Sequence, residues 1–150
     1  MNAQELARWL SAEHEIVTKL MTDLGDRVAV APRTNHAKWL EDVRRSFDHL
    51  RAHMVKHIAL KEQGGYLVPV VQRRPAFATE VSRLAHEHGE MIQIMDGIHQ
   101  TLQAVRPEDQ LIIRDICHRV MGLLSYLEHH ENAENLLVFS AFTEDIGGRG

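Results

Sequence analysis

In the stretch Leu-Leu-Ser-Tyr-Leu-Glu-His-His-Glu-Asn-Ala-Glu-Asn, from Leu123 to Asn135, His130 and Glu134 stand four residues apart. On a helix that is a step of about 40° around the axis, so an imidazole and a carboxylate share one face one turn apart. That is the geometry of a pair of metal ligands. Leu123, Tyr126, Leu127 and Leu137 continue the same face, which turns the pair towards a core. One inward histidine is commonly no more than a core residue with a hydrogen bond, but His14, His57 and His88 sit on apolar stripes of their own. Eleven histidines beside two Trp, two Tyr and four Phe point to metal or pH chemistry.

The elements that would position them are helices. Leu6, Leu10, His14, Val17, Met21 and Leu24 recur at three- and four-residue steps and predict a first helix opening at Asn2 or Ala3 and ended by the Ala31 to Asn35 stretch around Pro32. Thr34 or Asn35 would cap a second helix from about His36 to Gln63, with Leu40, Val43, Phe47, Leu50, His53, Met54, His57 and Leu60 inward. Gly64-Gly65 would finish it in left-handed backbone. Tyr66 to Gln72 reads as a short turn or helix, and Arg73-Arg74-Pro75 breaks it. A third long helix spans roughly Pro75 to Ala104, with Val81, Leu84, His88, Met91, Ile92, Met95, Ile98, His99 and Leu102 inward. Pro107 suits the first position of a fourth, running to about Phe142, before a loose tail Gly147-Gly148-Arg149-Gly150. No stretch alternates as a strand does. The expectation is a single all-α domain over residues 1–150, an antiparallel up-down-up-down four-helix bundle.

His57 follows His14 by 43 residues and His130 follows His88 by 42, and Leu50 and Leu123 each precede a histidine by seven. The halves read as one helical hairpin used twice, a two-fold pseudo-repeat that brings His14, His57, His88 and His130 to a common level. Buried without partners, each such group would cost about 1–3 kcal/mol. A divalent metal satisfies them, taking one nitrogen of each ring while the other N–H finds an acceptor. Carboxylates must balance its charge, with Glu134 the clearest and Glu62, five residues past His57, its counterpart. A set of imidazoles and carboxylates suits iron, manganese or zinc and lacks the thiolates of a structural zinc site.

The ordered set of Glu13-His14, His57 ahead of Lys61-Glu62-Gln63-Gly64-Gly65-Tyr66, Glu87-His88 and His130-Glu131-Asn132-Ala133-Glu134-Asn135 resembles the hemerythrin-like (HHE cation-binding) domains. The resemblance implies a non-haem di-iron centre with carboxylate and oxygen bridges, ligated by His14, His57, His88, His130 and Glu134. It also implies that dioxygen or a related diatomic ligand binds there, for oxygen or redox sensing, storage or iron homeostasis rather than turnover of an organic substrate. Two positions depart from the family pattern: Lys61 stands where a glutamate is expected four residues after His57, and Ile92 where oxygen carriers have a second histidine. Lys61 either turns outward while Glu62 turns in, or enters the core paired with Glu134, which would make a metal-poor interaction module. His53 either adds a nitrogen or packs. The absent imidazole favours sensing or oxidation over reversible carriage.

Other features narrow the field. The net charge of −4 with mixed signs argues against nucleic acid, and no apolar run approaches the ~20 residues of a membrane span. Cys117 alone allows no internal disulfide, and Met-Asn-Ala-Gln-Glu lacks the features of a secretory signal, so a cytoplasmic location is expected. No histidine has a glutamate three residues before it, which weighs against a ferritin-like di-iron oxidase, and no His-Glu-x-x-His occurs. Tyr126 and Cys117 are expected to pack, and His36, His49, His86, His118 and His129 to face solvent or cap.

Overall fold

The computed structural model describes residues 2–65 and 67–147, which contain five α-helices and no strand. Four are long: α1 (Ala3–Ala29), α2 (His36–Gly64), α4 (Ala78–Ala104) and α5 (Gln110–Gly147); α3 (Val68–Arg73) and a 3-10 turn (Pro75–Phe77) join α2 to α4. α1 packs on α2 and α5, and α4 packs on α5 and α2, so the long helices enclose one interior. None is long and apolar enough to cross a membrane.

The helix ends follow from local chemistry. Asn2 accepts from the Glu5 amide at 2.8 Å while the Glu5 carboxylate accepts from the Asn2 amide at 3.0 Å, closing a capping box on α1. Asn35 precedes α2 in left-handed backbone (φ 61°), one of the few non-glycine residues that tolerate it, and its side chain makes no cap. Instead His36 Nε2 meets the Pro32 carbonyl at 2.8 Å and braces the loop. Gly65 (φ 54°) ends α2, its amide donating to the Lys61 carbonyl. Pro107 does not start α5: the Asp109 carboxylate accepts from the Arg106 amide at 3.1 Å, and the tight turn delays the helix to Gln110. α5 runs past Phe142 to Gly147; Tyr66 and the expected tail at 148–150 lie outside the described residues.

The interior is two apolar clusters with a polar layer between them. One gathers Val17, Leu24, Phe47, Leu50, Met54, Met91, Met95, Ile98, Val120 and Leu127; the other gathers Leu6, Leu10, Leu67, Val70, Leu84, Leu137 and Val138. On α1, α4 and α5 the chain passes from one cluster to the other at or beside His14, His88, and His130 to Glu134, and α2 leaves the larger cluster at His57 to Lys61. Of the expected inward residues, Leu60 is half exposed and His99 lies at the margin against Asp48 at 3.2 Å. The α2 stripe advances 50, 54, 57, 61, so position 61 takes the place Leu60 would need.

Phe47 is fully buried in the larger cluster, so Phe47→Ala should cost about 3–5 kcal/mol in urea unfolding, whereas Leu111→Ala at a site 80% exposed should change stability by less than about 0.5 kcal/mol.

Candidate metal centre

The polar layer contains His57, Lys61, His88, His130, Glu131 and Glu134, all buried, with His14 at its edge. α5 supplies three of them. His130 and Glu134 share a face as their spacing requires, with His130 Nε2 3.5 Å from Glu134 Oε2. Glu131 lies on the adjoining stripe with Leu124, Leu127 and Val138, and its Oε2 is 3.7 Å from His14 Nδ1.

Two sets of ligand atoms come together, each with all its atoms within 4.8 Å of one another: His57, Glu131 and Glu134, and His88, His130 and Glu134. Glu134 belongs to both. The rings are held from behind by the acids that precede His14 and His88 in the chain. His130 Nδ1 hydrogen-bonds to Glu87 Oε1 at 2.7 Å, and His57 Nδ1 lies 2.8 Å from Glu13 Oε2, close but off the hydrogen-bond direction. Among the described residues no hydrogen bond reaches His57 Nε2, His130 Nε2, His14 Nδ1 or Glu131 Oε1, all buried. Rings with a carboxylate beside Nδ1 and with Nε2 bare and facing further carboxylates are arranged as metal-bound imidazoles are. The donor set therefore fits a cation.

Lys61 changes the charge balance. Its Nζ lies 2.8 Å and 2.9 Å from the two oxygens of Glu134, and both side chains are fully buried. Glu62 is the residue turned out: its side chain is 58% exposed, and its Oε1 is 3.7 Å from His88 Nδ1, outside both ligand sets. The expectation that Glu62 supplies the second carboxylate gives way to the helical phase. Position 61 continues the inward stripe, whereas 62 is rotated by about 140° from His57. His53 Nε2 lies 3.0 Å from Glu13 Oε2, so it stands behind His57 in a third group, Glu13, His53 and His57, nearer the surface.

The electrostatics reflect this crowding. Burial, then the Lys61 charge, hold His57 down at about 3 and His88 at about 4. Burial also opposes charge on His130, but Glu134 and Glu87 outweigh it and raise its pKa. Burial alone would push Glu134 up; His130 and Lys61 instead bring it down to about 2. Glu131 is raised, by burial above all. Tyr126 donates to Glu90 at 2.5 Å on the outer face and is not turned into the layer.

A family model, the hemerythrin HHE cation-binding domain, matches residues 5–142. The chain belongs to that family. No curated protein and no solved structure matches it. Set against the HHE pattern, this domain brings His57, His88, His130 and Glu134 into its buried layer, leaves His14 about one-third exposed at the edge and Glu62 outside, takes in Lys61 paired with Glu134, one of the two arrangements its sequence allows, and adds Glu131, which the sequence does not single out as a ligand. Both had a signal: 61 continues the three- and four-residue phase of α2, and 131 lies four residues past Leu127, on the side of α5 that meets α1.

A pH dependence follows from the two depressed imidazoles. Each binds a proton in the unfolded chain near the ordinary imidazole value of 6.5 and in the folded chain only near 3 or 4, so the stability they confer is present above 6.5 and lost as the pH falls. Metal-free protein should lose up to about 2.7 kcal/mol per pH unit between pH 6 and pH 4 in denaturant titrations, about 1.36 for each ring. A flat stability profile over that range would show the rings are not held neutral.

Proposed function

We propose that this HHE domain holds iron in its polar layer, at up to two positions that share Glu134, and presents it to dioxygen or a related diatomic ligand for sensing, storage or iron homeostasis. The observation that carries the reading is the set of buried, inward nitrogens of His57 and His130, each ring backed by a carboxylate and each facing Glu134 or its neighbour Glu131. On this reading the four long helices run antiparallel as a hairpin used twice, since Glu13 stands to His57 as Glu87 stands to His130.

When bound, iron supplies a redox change and a coordination position open to a small ligand; manganese or zinc fits the same nitrogen and oxygen donors without the same redox chemistry. The chain's own work is to hold and screen. Glu13 and Glu87 fix the ring orientations, and the apolar clusters on either side keep bulk water from the layer. Two cavities flank it: one of about 310 Å³ at Lys61, Leu67, Val81, Ala85 and His88, and one of about 320 Å³ at His14, Met21, Leu124 and Asn132. Either admits a diatomic molecule. A second reading, a metal-poor interaction module, is favoured by the buried Lys61–Glu134 pair, which neutralises one carboxylate without a metal.

Chelator-treated protein, reconstituted with ferrous iron under anaerobic conditions and desalted, should retain iron by elemental analysis and change its absorption spectrum on exposure to dioxygen or nitric oxide. His57→Ala and Glu134→Ala should each lose most of the iron, and His86→Ala, on an exposed face, should keep it. Wild-type protein without iron would decide for the interaction module.

A further inference from the structure

Resting on that iron-binding reading, the layer's own charges bear on how many cations it takes. Two ligand sets share Glu134, so a pair of cations would use that carboxylate as their bridge. Both of its oxygens, however, already lie within 2.9 Å of Lys61 Nζ, in a layer where neither side chain is exposed. The ammonium is a fixed positive charge in the middle of the layer, where screening by water is weak. Among the described residues the carboxylates inside the layer are Glu131 and Glu134. One divalent ion and the ammonium set three positive charges against these two; a second divalent ion would make five, and among the described residues the next acids, Glu13 and Glu87, stand at the rim behind His57 and His130.

The two sets are also unequal. On the α1–α2–α5 side, His57 Nε2, His14 Nδ1 and Glu131 Oε1 have no hydrogen bond among the described residues. On the α4–α5 side, His130 Nε2 is likewise without a hydrogen bond among the described residues, but that set has Glu134 as its one carboxylate, whereas the first set has Glu131 as well. The Lys61 ammonium neutralises Glu134, the shared carboxylate, which leaves the α4–α5 set no acid of its own and the α1–α2–α5 set with Glu131. The carboxylate left to meet a cation, Glu131, therefore lies in the first set.

We infer that this domain binds one divalent cation, not a pair, at His57, Glu131 and Glu134 with His14 on the outer side of Glu131, and that the Lys61 ammonium occupies the second cation's place beside Glu134. Lys61 then acts as a built-in monovalent substitute that sets the nuclearity of the site. The cation lies next to the cavity at His14, which becomes its route to solvent.

The test is anaerobic dialysis of the full chain against ferrous iron, with iron per chain by elemental analysis and electron paramagnetic resonance after oxidation. The wild type should bind one iron per chain and show the signal of an isolated high-spin ferric ion. Lys61→Glu, which replaces the ammonium by a carboxylate, should bind two and lose that signal through coupling of the pair. Glu131→Gln should weaken wild-type iron binding by about tenfold or more, and Glu62→Gln should leave it unchanged. Two irons in the wild type would overturn the single-cation inference and leave the iron-binding reading standing; none in either the wild type or Lys61→Glu would overturn both. If Lys61→Glu does not fold, the wild-type stoichiometry and spectrum still decide.

Discussion

The constraint on which the rest depends is the burial of ionisable side chains in one layer across the interior. Lys61 and Glu134 are fully buried and held together at 2.8 Å and 2.9 Å, with three imidazoles and a second carboxylate around them. Charges removed from water in this way cost several kcal/mol each, and their mutual attraction offsets that cost only where the remaining polar atoms also find partners. Here several do not find them among the described residues, His57 Nε2 and Glu131 Oε1 being two. A fold optimised for stability alone would fill such a layer with leucine. That it does not is the physical reason for assigning the layer a ligand.

The apolar part of the molecule is shaped around this layer. α1, α4 and α5 bury hydrophobic residues on both sides of their polar positions and α2 on one side, so the two clusters clamp the layer from above and below while the acids Glu13 and Glu87 brace it from the rim. Bracing matters for function because a ligand ring free to rotate would lose its orientation towards the cation. Glu13 serves two imidazoles, His53 and His57, and so links the half-exposed edge of the layer to its centre.

Much of this was legible in the sequence, and the part that was not has a physical explanation. The four long helices follow from hydrophobic periodicity, and the inward positions of His57, His88 and His130 follow from the stripes that contain them. The choice between Lys61 and Glu62 was harder because residue chemistry and helical phase pointed in opposite directions. A carboxylate is the better metal ligand, but phase placed the lysine inside, where Glu134 could meet it. Glu131 escaped notice because it adjoins His130 and so lies off that residue's face; the core of α5 is wide enough, with α1 on one side and α4 on the other, to bury both. The start of α5 was misplaced because Pro107 suits a helix N-terminus as well as it suits the turn that the Asp109 side chain closes.

The central claim is that a cation belongs in this layer, and anomalous X-ray scattering at the iron edge from crystals of the iron-loaded protein tests it most directly. The account predicts an anomalous peak inside the layer, bounded by His57, Glu131 and Glu134. A peak at the protein surface, or none in fully loaded crystals, would contradict it.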